Sequence, residues 1–236
     1  LGVNLMPSDG KVCSFDCLYC EAGFNAQGPG KAGLPTRGQV AEQLRQTLTQ
    51  MRADAKGLDV ITFSGNGEPT LHPDFEAIID DVIALRDEFY PQAKVSVLSN
   101  ATCLHRADVV RALRRVDNNI LKLDSAIDAT ARMIDRPTNP HYSTAKVVEQ
   151  MQQFGPQCII QTMMLRGSYQ GHEIDNTTDA EIEALIAAAL KVNPREVMLY
   201  SIDRKTPAEQ LQRVEKPELE AIAQRFRAAG LTVQVS

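Results

Sequence analysis

The 236-residue chain contains no tryptophan, and aromatic residues make up only 5% of it. Rows of rings on which bases could stack are therefore not part of its composition. No apolar run approaches the roughly 18 residues of a membrane span, so no membrane partner is expected. A basic surplus is missing too: 25 Lys and Arg stand against 30 Asp and Glu, a net charge of -5 at pH 7. That balance supplies no general field for nucleic acid, and DNA is not an expected partner. There is no low-complexity segment. Cysteine is scarce, at five and odd in number, which argues against a secreted disulfide framework and for a reducing, cytoplasmic setting. The chain begins at Leu1 without an initiator Met or a signal-peptide pattern, so trimmed native termini are expected. What is present, 43% hydrophobic and 23% charged residues, suits a single α/β domain over residues 1–236 with a sizeable core.

The organisation is an alternation of short β-branched runs and helical spacings. An apolar stretch at 2–6 precedes a loop that is rich in Gly and Pro by 23–35, and Val40, Leu44, Leu48 and Met51 set a helix over 39–53. The run 'LDVITFSG' (58–65) predicts a buried strand, followed by a helix from about 73 with Pro73 in its first turn. The same pattern gives strands at 94–100, 119–125, 157–165, 195–201 and 231–235. Helices are predicted at 106–115, in a broken region to about 154, at 177–192 and at 216–229. Helices between successive strands imply a parallel sheet. Polar residues stand at the end of nearly every strand, which favours a partial (β/α)6 TIM-type barrel with outer helices over an open doubly wound sheet.

The densest chemical signal is 'KVCSFDCLYCE', which places Cys13, Cys17 and Cys20 within eight residues at C-x3-C-x2-C spacing. Thiolates select zinc or an iron–sulfur cluster. A structural zinc site needs four ligands, which Cys103, Cys158 or one of four histidines would have to complete from elsewhere in the chain. A [4Fe–4S] cluster held by three thiolates keeps one iron open for a chelating small molecule.

The triplet, with Tyr19 just before its last cysteine, resembles the CxxxCxΦC signature of the radical S-adenosylmethionine (radical SAM) superfamily. 'FSGNGEPTLHP' (63–73) resembles that family's GGEP-type motif at the end of the second strand. The resemblance implies an enzyme in which Cys13, Cys17 and Cys20 hold a [4Fe–4S] cluster that cleaves S-adenosyl-L-methionine reductively, giving a 5′-deoxyadenosyl radical that abstracts hydrogen from substrate. It implies Tyr19 near the adenine, and Gly65, Asn66, Gly67 and Glu68 near the methionyl amine, with Asn66 standing where glycine is common. Ser99 and Asn100, then Lys122, Asp124 and Ser125, then Gln161 and Tyr200 match strand-end positions that hold the cosubstrate's ribose or carboxylate. A strand-end capping role is the alternative for each, and Lys122 can equally be a buried lysine paired with Asp124. A small redox protein, flavodoxin or ferredoxin, is the implied electron donor.

Within the superfamily, 'SGNGEPTLHPDF' and 'LKLDSAIDATARMIDRP' are similar to the branch containing wyosine base synthase, which makes an RNA base one candidate substrate and a small metabolite another. Wyosine synthases carry a second cluster on additional N-terminal cysteines. Here only Cys103 and Cys158 remain, neither before the triplet, so a wyosine synthase proper would need ligands from a longer N-terminus. The segment 166–176, read as a loop at the mouth, is expected to meet substrate through Arg166, His172, Asp175 and Asn176. Arg204 and Lys205 are expected to clamp a carboxylate or phosphate. His72 reads as a residue that leads into a helix. Two other functions stay open: a glycyl-radical-enzyme activase, and a zinc-stabilised binding domain without catalysis.

Overall fold

The computed structural model describes residues 1–236, apart from the side chain of Gln27. Its Cα positions fall into two compact units. The first comprises Leu1–Cys13, Asn25–Ser99 and Cys103–Asn119. In it β1 (Gly2–Val3) pairs in parallel with β2 (Val60–Phe63), and β2 with β3 (Lys94–Ser99). Helix α1 (Arg37–Ala53) starts at a reciprocal capping box between Thr36 and Gln39 and buries Val40, Leu44 and Leu48. Helix α2 (Phe75–Phe89) buries Phe75, Ile78, Ile79, Val82 and Leu85. Phe75 meets Phe63 edge-on with centroids 6.3 Å apart. The helix starts later than Pro73 suggests, because the Phe75 N–H bonds to the His72 carbonyl at 3.2 Å and Asp74 becomes the cap. Helix α3 (Ala107–Leu113) ends early where Arg115 N–H turns back to Ala112.

Arginines and acids interlock across the outer helices of this unit. Arg37 forks onto Asp81 at 2.6 and 2.7 Å, and Arg45 reaches Glu88 at 2.9 Å, joining α1 to α2. From α3, Arg111 forks onto Glu76 at 2.9 and 2.7 Å, and Arg115, just past the end of α3, pairs with Asp80.

The second unit comprises Ser14–Phe24, Asn100–Thr102 and Ile120–Ser236. The strand β4 (Asn118–Lys122) begins in the first unit's residues and runs into the second's. Beyond its end the Leu123 N–H bonds to the Gln161 carbonyl at 3.0 Å, on β5 (Cys158–Tyr169). Strand β5 pairs in parallel with β7 (Glu196–Ser201), and β7 with β9 (Val233–Val235). The broken helical region resolves into α4 (Asp128–Ile134) and α5 (Thr144–Met151), with Pro137 and Pro140 between them. Helix α6 (Asp179–Val192) is capped by Thr178 and closed by Asn193 at φ 54°, and α7 is Lys216–Ala228. Parallel strands with intervening helices are the expected α/β class. Among the described residues β1 pairs only with β2 and β9 only with β7, so the arrangement is that of a partial TIM-type barrel.

The segment 166–176 is not the open loop that its polarity suggests. Strand β5 runs on to Tyr169, turns through Gln170 and Gly171, both at positive φ, and returns as β6 (His172–Asp175). Two left-handed residues between paired strands are the favoured hairpin turn. A further short strand, β8 (Leu211–Arg213), lies antiparallel to β5 as well. Gly167 permits this approach: a Cβ there, at φ 136°, would stand 2.2 Å from the Gln210 carbonyl oxygen.

Candidate cofactor site

In the first unit, β2 runs into the turn Ser64–Glu68, and this turn is bonded to the residue just before Cys13. Val12 N–H donates to the Asn66 carbonyl at 3.1 Å, and Glu68 N–H donates to the Val12 carbonyl at 3.0 Å, forming a parallel bridge between Val12 and Gly67. Gly67, at φ 147°, has to be glycine because a Cβ would lie 1.8 Å from the Val12 oxygen. The backbone ahead of the first cysteine is thereby pinned to the glycine motif. Asn66 is not in the left-handed region, so no glycine is needed there. Its amide donates to the Pro7 carbonyl at 3.2 Å, and its backbone N–H donates to Asn4 Oδ1 at 3.3 Å.

Glu68 is buried, and its Oε1 accepts from Thr70 N–H at 3.1 Å, Thr70 hydroxyl at 2.5 Å and Ser99 hydroxyl at 2.8 Å. Three donors on one oxygen fix its orientation, and Ser99 acts through that carboxylate. His72 is also buried. Its Nδ1 accepts from Asp74 N–H, which leaves the proton on Nε2 to bond the Pro35 carbonyl at 2.9 Å.

The second unit carries Cys17 and Cys20 on the loop Ser14–Phe24. Cys17 is buried and Cys20 half-buried, as is Cys13, and none of the five cysteines is in a disulfide. Three anchors hold the loop. Asn100 bonds Ser14 Oγ at 2.9 Å and accepts from Thr102, whose hydroxyl lies 2.6 Å from Ser14 Oγ. The Cys17 thiol donates to Asp135 Oδ1 at 3.5 Å. Tyr19 donates its hydroxyl to Asp124 and accepts from Lys122, whose ammonium also lies 4.6 Å from the centre of the Tyr19 ring.

These last groups form a buried lock. Lys122 Nζ is 3.2 Å from Asp124 Oδ2, and Asp124 Oδ1 accepts Met163 N–H at 2.9 Å. Burial lowers the Lys122 pKa, but the charges of Asp124, Tyr200, Cys17 and Asp135 together outweigh it and hold the ammonium well above its ordinary range. Burial, then the charge of Asp124, pushes the Tyr19 phenol and the Asp135 carboxyl up. Burial raises Tyr200 to about 12, with Lys122 acting against it.

The other predicted residues are placed as follows. Ser125 is buried and donates to Glu181 at 2.6 Å. Gln161 is half-buried on β5 and Tyr200 half-buried on β7, opposite Met163. Arg166 is engaged by Glu218 and by Thr177 at 2.7 Å, with Asp175 3.9 Å away. Asn176 is fully buried among backbone groups of Leu165, Asp124 and Met163. His172 and Lys205 are exposed. Arg204 pairs with Glu21, next to Cys20, at 2.6 Å.

Sequence reasoning missed Asp135 and Arg136, which support the loop from 118 positions further along the chain. The only signal was 'IDRP' within the motif. Arg136 has φ 46°, a left-handed conformation that costs a residue with a Cβ about 1–2 kcal/mol.

The sequence profile of the radical SAM superfamily matches residues 8–169. The chain belongs to the radical SAM superfamily. A UPF0026 protein of Synechocystis sp. is 31% identical over 201 residues, covering 83% of this chain and 68% of that protein. A UPF0026 protein of Helicobacter pylori is 29% identical over 214 residues, with 86% and 62% covered. A protein named GTPase Obg, from Brachyspira hyodysenteriae, is 26% identical over 232 residues, covering 97% of this chain and 32% of that protein. The chain thus spans about a third to two thirds of these relatives' lengths. It contains no G-x-x-x-x-G-K-[ST] phosphate loop.

Among solved structures, a radical SAM methyltransferase from Sphaerobacter thermophilus superposes with a TM-score of 0.73 at 18% identity, covering 100% of this chain and 65% of that one. SuiB of Streptococcus suis bound to S-adenosylmethionine gives 0.68 at 14%, with 100% and 50% covered. TYW1 with a lysine–pyruvate adduct gives 0.63 at 14%, with 96% and 73% covered. These likenesses establish the fold. Enzymes of the radical SAM superfamily use a [4Fe–4S] cluster and S-adenosylmethionine. This chain's donor set suits that cluster, since three thiols within eight residues of sequence, none in a disulfide, are soft ligands for iron. Among the described residues no three His, Cys, Asp or Glu side chains stand preassembled around a metal position. No helix among them is long and apolar enough to cross a membrane.

Proposed function

We propose that Cys13, Cys17 and Cys20 hold the [4Fe–4S] cluster, and that the chain directs reductive cleavage of S-adenosylmethionine toward hydrogen abstraction from a small metabolite or an RNA base. When bound, the cluster and cosubstrate supply the electron transfer and the 5′-deoxyadenosyl radical. The chain's own residues orient and enclose. The observation that carries this reading is the bridge between Val12 and Gly67, because it fastens the backbone before Cys13 to the glycine motif. Glu68, held by Thr70 and Ser99, presents an acidic group suited to the cosubstrate's ammonium. Asn100 acts on the cysteine loop through Ser14. Lys122, Asp124 and Tyr19 satisfy one another, so their part is to hold the second and third cysteines in place.

The pairing of Lys122 also bears on substrate. A solved TYW1 carries a lysine–pyruvate adduct. An amine forms such an adduct only when deprotonated, and Lys122 is ion-paired with the buried Asp124 at 3.2 Å, which favours its ammonium form. This speaks against imine chemistry at Lys122 and for a substrate that is not covalently held there. A small reductant such as flavodoxin or ferredoxin would deliver the electron.

Anaerobic reconstitution followed by iron and sulfide analysis and EPR tests the proposal. The expected result is a reduced-cluster signal that S-adenosylmethionine perturbs, with cofactor cleavage abolished in Cys17→Ala. Stoichiometric zinc without that signal, or full turnover by Cys17→Ala, would remove it.

A further inference from the structure

Arg136 stands where glycine would be at ease. Helix α4 ends at Ile134, Asp135 caps it, and Arg136 follows at φ 46°. That is the left-handed position after a helix that is usually filled by glycine or asparagine. The side chain accounts for the exception. Its guanidinium carbon lies 5.1 Å from the centre of the Phe24 ring and 5.2 Å from that of Tyr169. The same group is 3.3 Å from Asp16 and donates to the Tyr169 hydroxyl at 3.4 Å. A planar cation with two aromatic faces and a carboxylate is a geometry that lysine cannot reproduce.

The residues flanking Arg136 bond directly to the cysteine loop. The Ile134 and Asp135 carbonyls accept from Leu18 N–H at 3.0 Å and Asp16 N–H at 2.9 Å. Thr138 donates its N–H at 2.9 Å and its hydroxyl at 3.1 Å to the Ser14 carbonyl. Residues 14–18 therefore lie along 134–138 as a short backbone ladder, with Cys17 in its middle.

We propose that Arg136 is a positioning residue for this loop: it holds 134–138 in the bend that offers those backbone groups, and the bend fixes Cys17 before any cluster is present. The consequence for cluster loading rests on the ligand role proposed for Cys17, whereas the pinning itself does not. Phe24 and Tyr169, at the end of the loop and the tip of the β5–β6 hairpin, complete the clasp.

The test is alkylation of the apoprotein by iodoacetamide, resolved by peptide, with Cys158 as the internal standard because it is buried at the start of β5. Arg136→Gly relaxes the backbone and removes both charge and stacking. It is expected to speed alkylation of Cys17 by about ten-fold or more and to accelerate amide exchange at Asp16 and Leu18, leaving Cys158 unchanged. Arg136→Lys, which keeps only the charge, should fall between that variant and the wild type, and iron bound on anaerobic reconstitution should run in the reverse order, highest in the wild type and lowest in Arg136→Gly. A Cys17 rate within about two-fold of wild type in a folded Arg136→Gly protein overturns the proposal. Should Cys158 accelerate together with Cys17, the variant has unfolded globally and Tyr169→Leu decides: a faster Cys17 alone supports the clasp, and an unchanged one overturns it. A wild type that binds no iron would defeat the ligand reading, while the alkylation rates would still decide the role of Arg136.

Discussion

Replacing Asn176 by alanine measures the contribution of one buried amide. The side chain is 0% exposed. Its Oδ1 accepts Leu165 N–H at 2.8 Å, and its Nδ2 donates to the carbonyls of Asp124 at 2.8 Å and Met163 at 2.7 Å. Alanine removes all three bonds at once. An N–H left without a partner costs about 1–3 kcal/mol, and the two carbonyls, each with a second lone pair, lose less. The sum is about 3–4 kcal/mol, a large share of the roughly 5–15 kcal/mol that holds a domain folded. Urea unfolding of the apoprotein should show a lower midpoint with an unchanged m-value. Asn176→Asp keeps the acceptor for Leu165 but turns an oxygen toward two carbonyls, so it should lose at least as much. A loss below about 1 kcal/mol would refute the reasoning. Altered turnover at an unchanged midpoint would instead place Asn176 against substrate, the role suggested by its position in the sequence.

Two further outcomes follow from the first unit. Gly67→Ala drives a Cβ into the Val12 backbone, 1.8 Å from its oxygen, whereas Gly65→Ala meets the Asn4 side chain from Oδ1 at 2.3 Å to Cβ at 2.8 Å, which has a rotamer to yield; the former should lower the urea midpoint and speed amide exchange at Val12 more, and equal effects would count against the bridge. Asp117 accepts Val95 N–H at 2.8 Å and Arg86 at 2.9 Å, and although burial works the other way these bonds hold its carboxyl below the ordinary value. A depressed carboxylate stabilises above its unfolded pKa and loses that contribution as pH falls through the folded one. The urea midpoint should therefore drop between about pH 5 and pH 3, and drop less in Asp117→Asn. Parallel slopes for the two proteins would contradict this.

Much of the framework was legible because its signals are local. The β-branched run at 60–63 lies between Gly57 and Gly65, and the apolar spacing of α2 needs no tertiary context. The clustering of Cys13, Cys17 and Cys20 was visible as spacing, and the 65–68 motif through its resemblance to the superfamily's. Lys122 and Asp124, two apart on one face of an extended chain, already suggested a pair. Strands β6 and β8 were not readable: 'HEID' and 'LQR' are short, polar and without alternation, and they exist because β5 extends and pairs with them. Asn176 was misleading for a related reason, since a polar residue after a strand looks alike whether it faces a ligand or buried carbonyls. Arg136 was invisible because its distinguishing property is a backbone angle, and its partners at Asp16, Phe24 and Tyr169 are scattered along the chain.

The arginine–acid pairs on the outer helices of the first unit have a consequence for folding fidelity. Each exposed pair contributes only about 0–1 kcal/mol. Yet Arg37 and Arg45 lie about two turns apart on α1, and their partners Asp81 and Glu88 about two turns apart on α2. Arg111 on α3 and Arg115 just past its end pair with Glu76 and Asp80, one turn apart on α2. Sliding α1 along α2 by a single turn would break both of its contacts together, whereas Arg115, already 3.9 Å from Glu76, could exchange partners on a one-turn slip. The pairs between α1 and α2 thus work as a vernier scale: weak as fasteners, they discriminate between neighbouring alignments of helices whose apolar stripes would tolerate more than one.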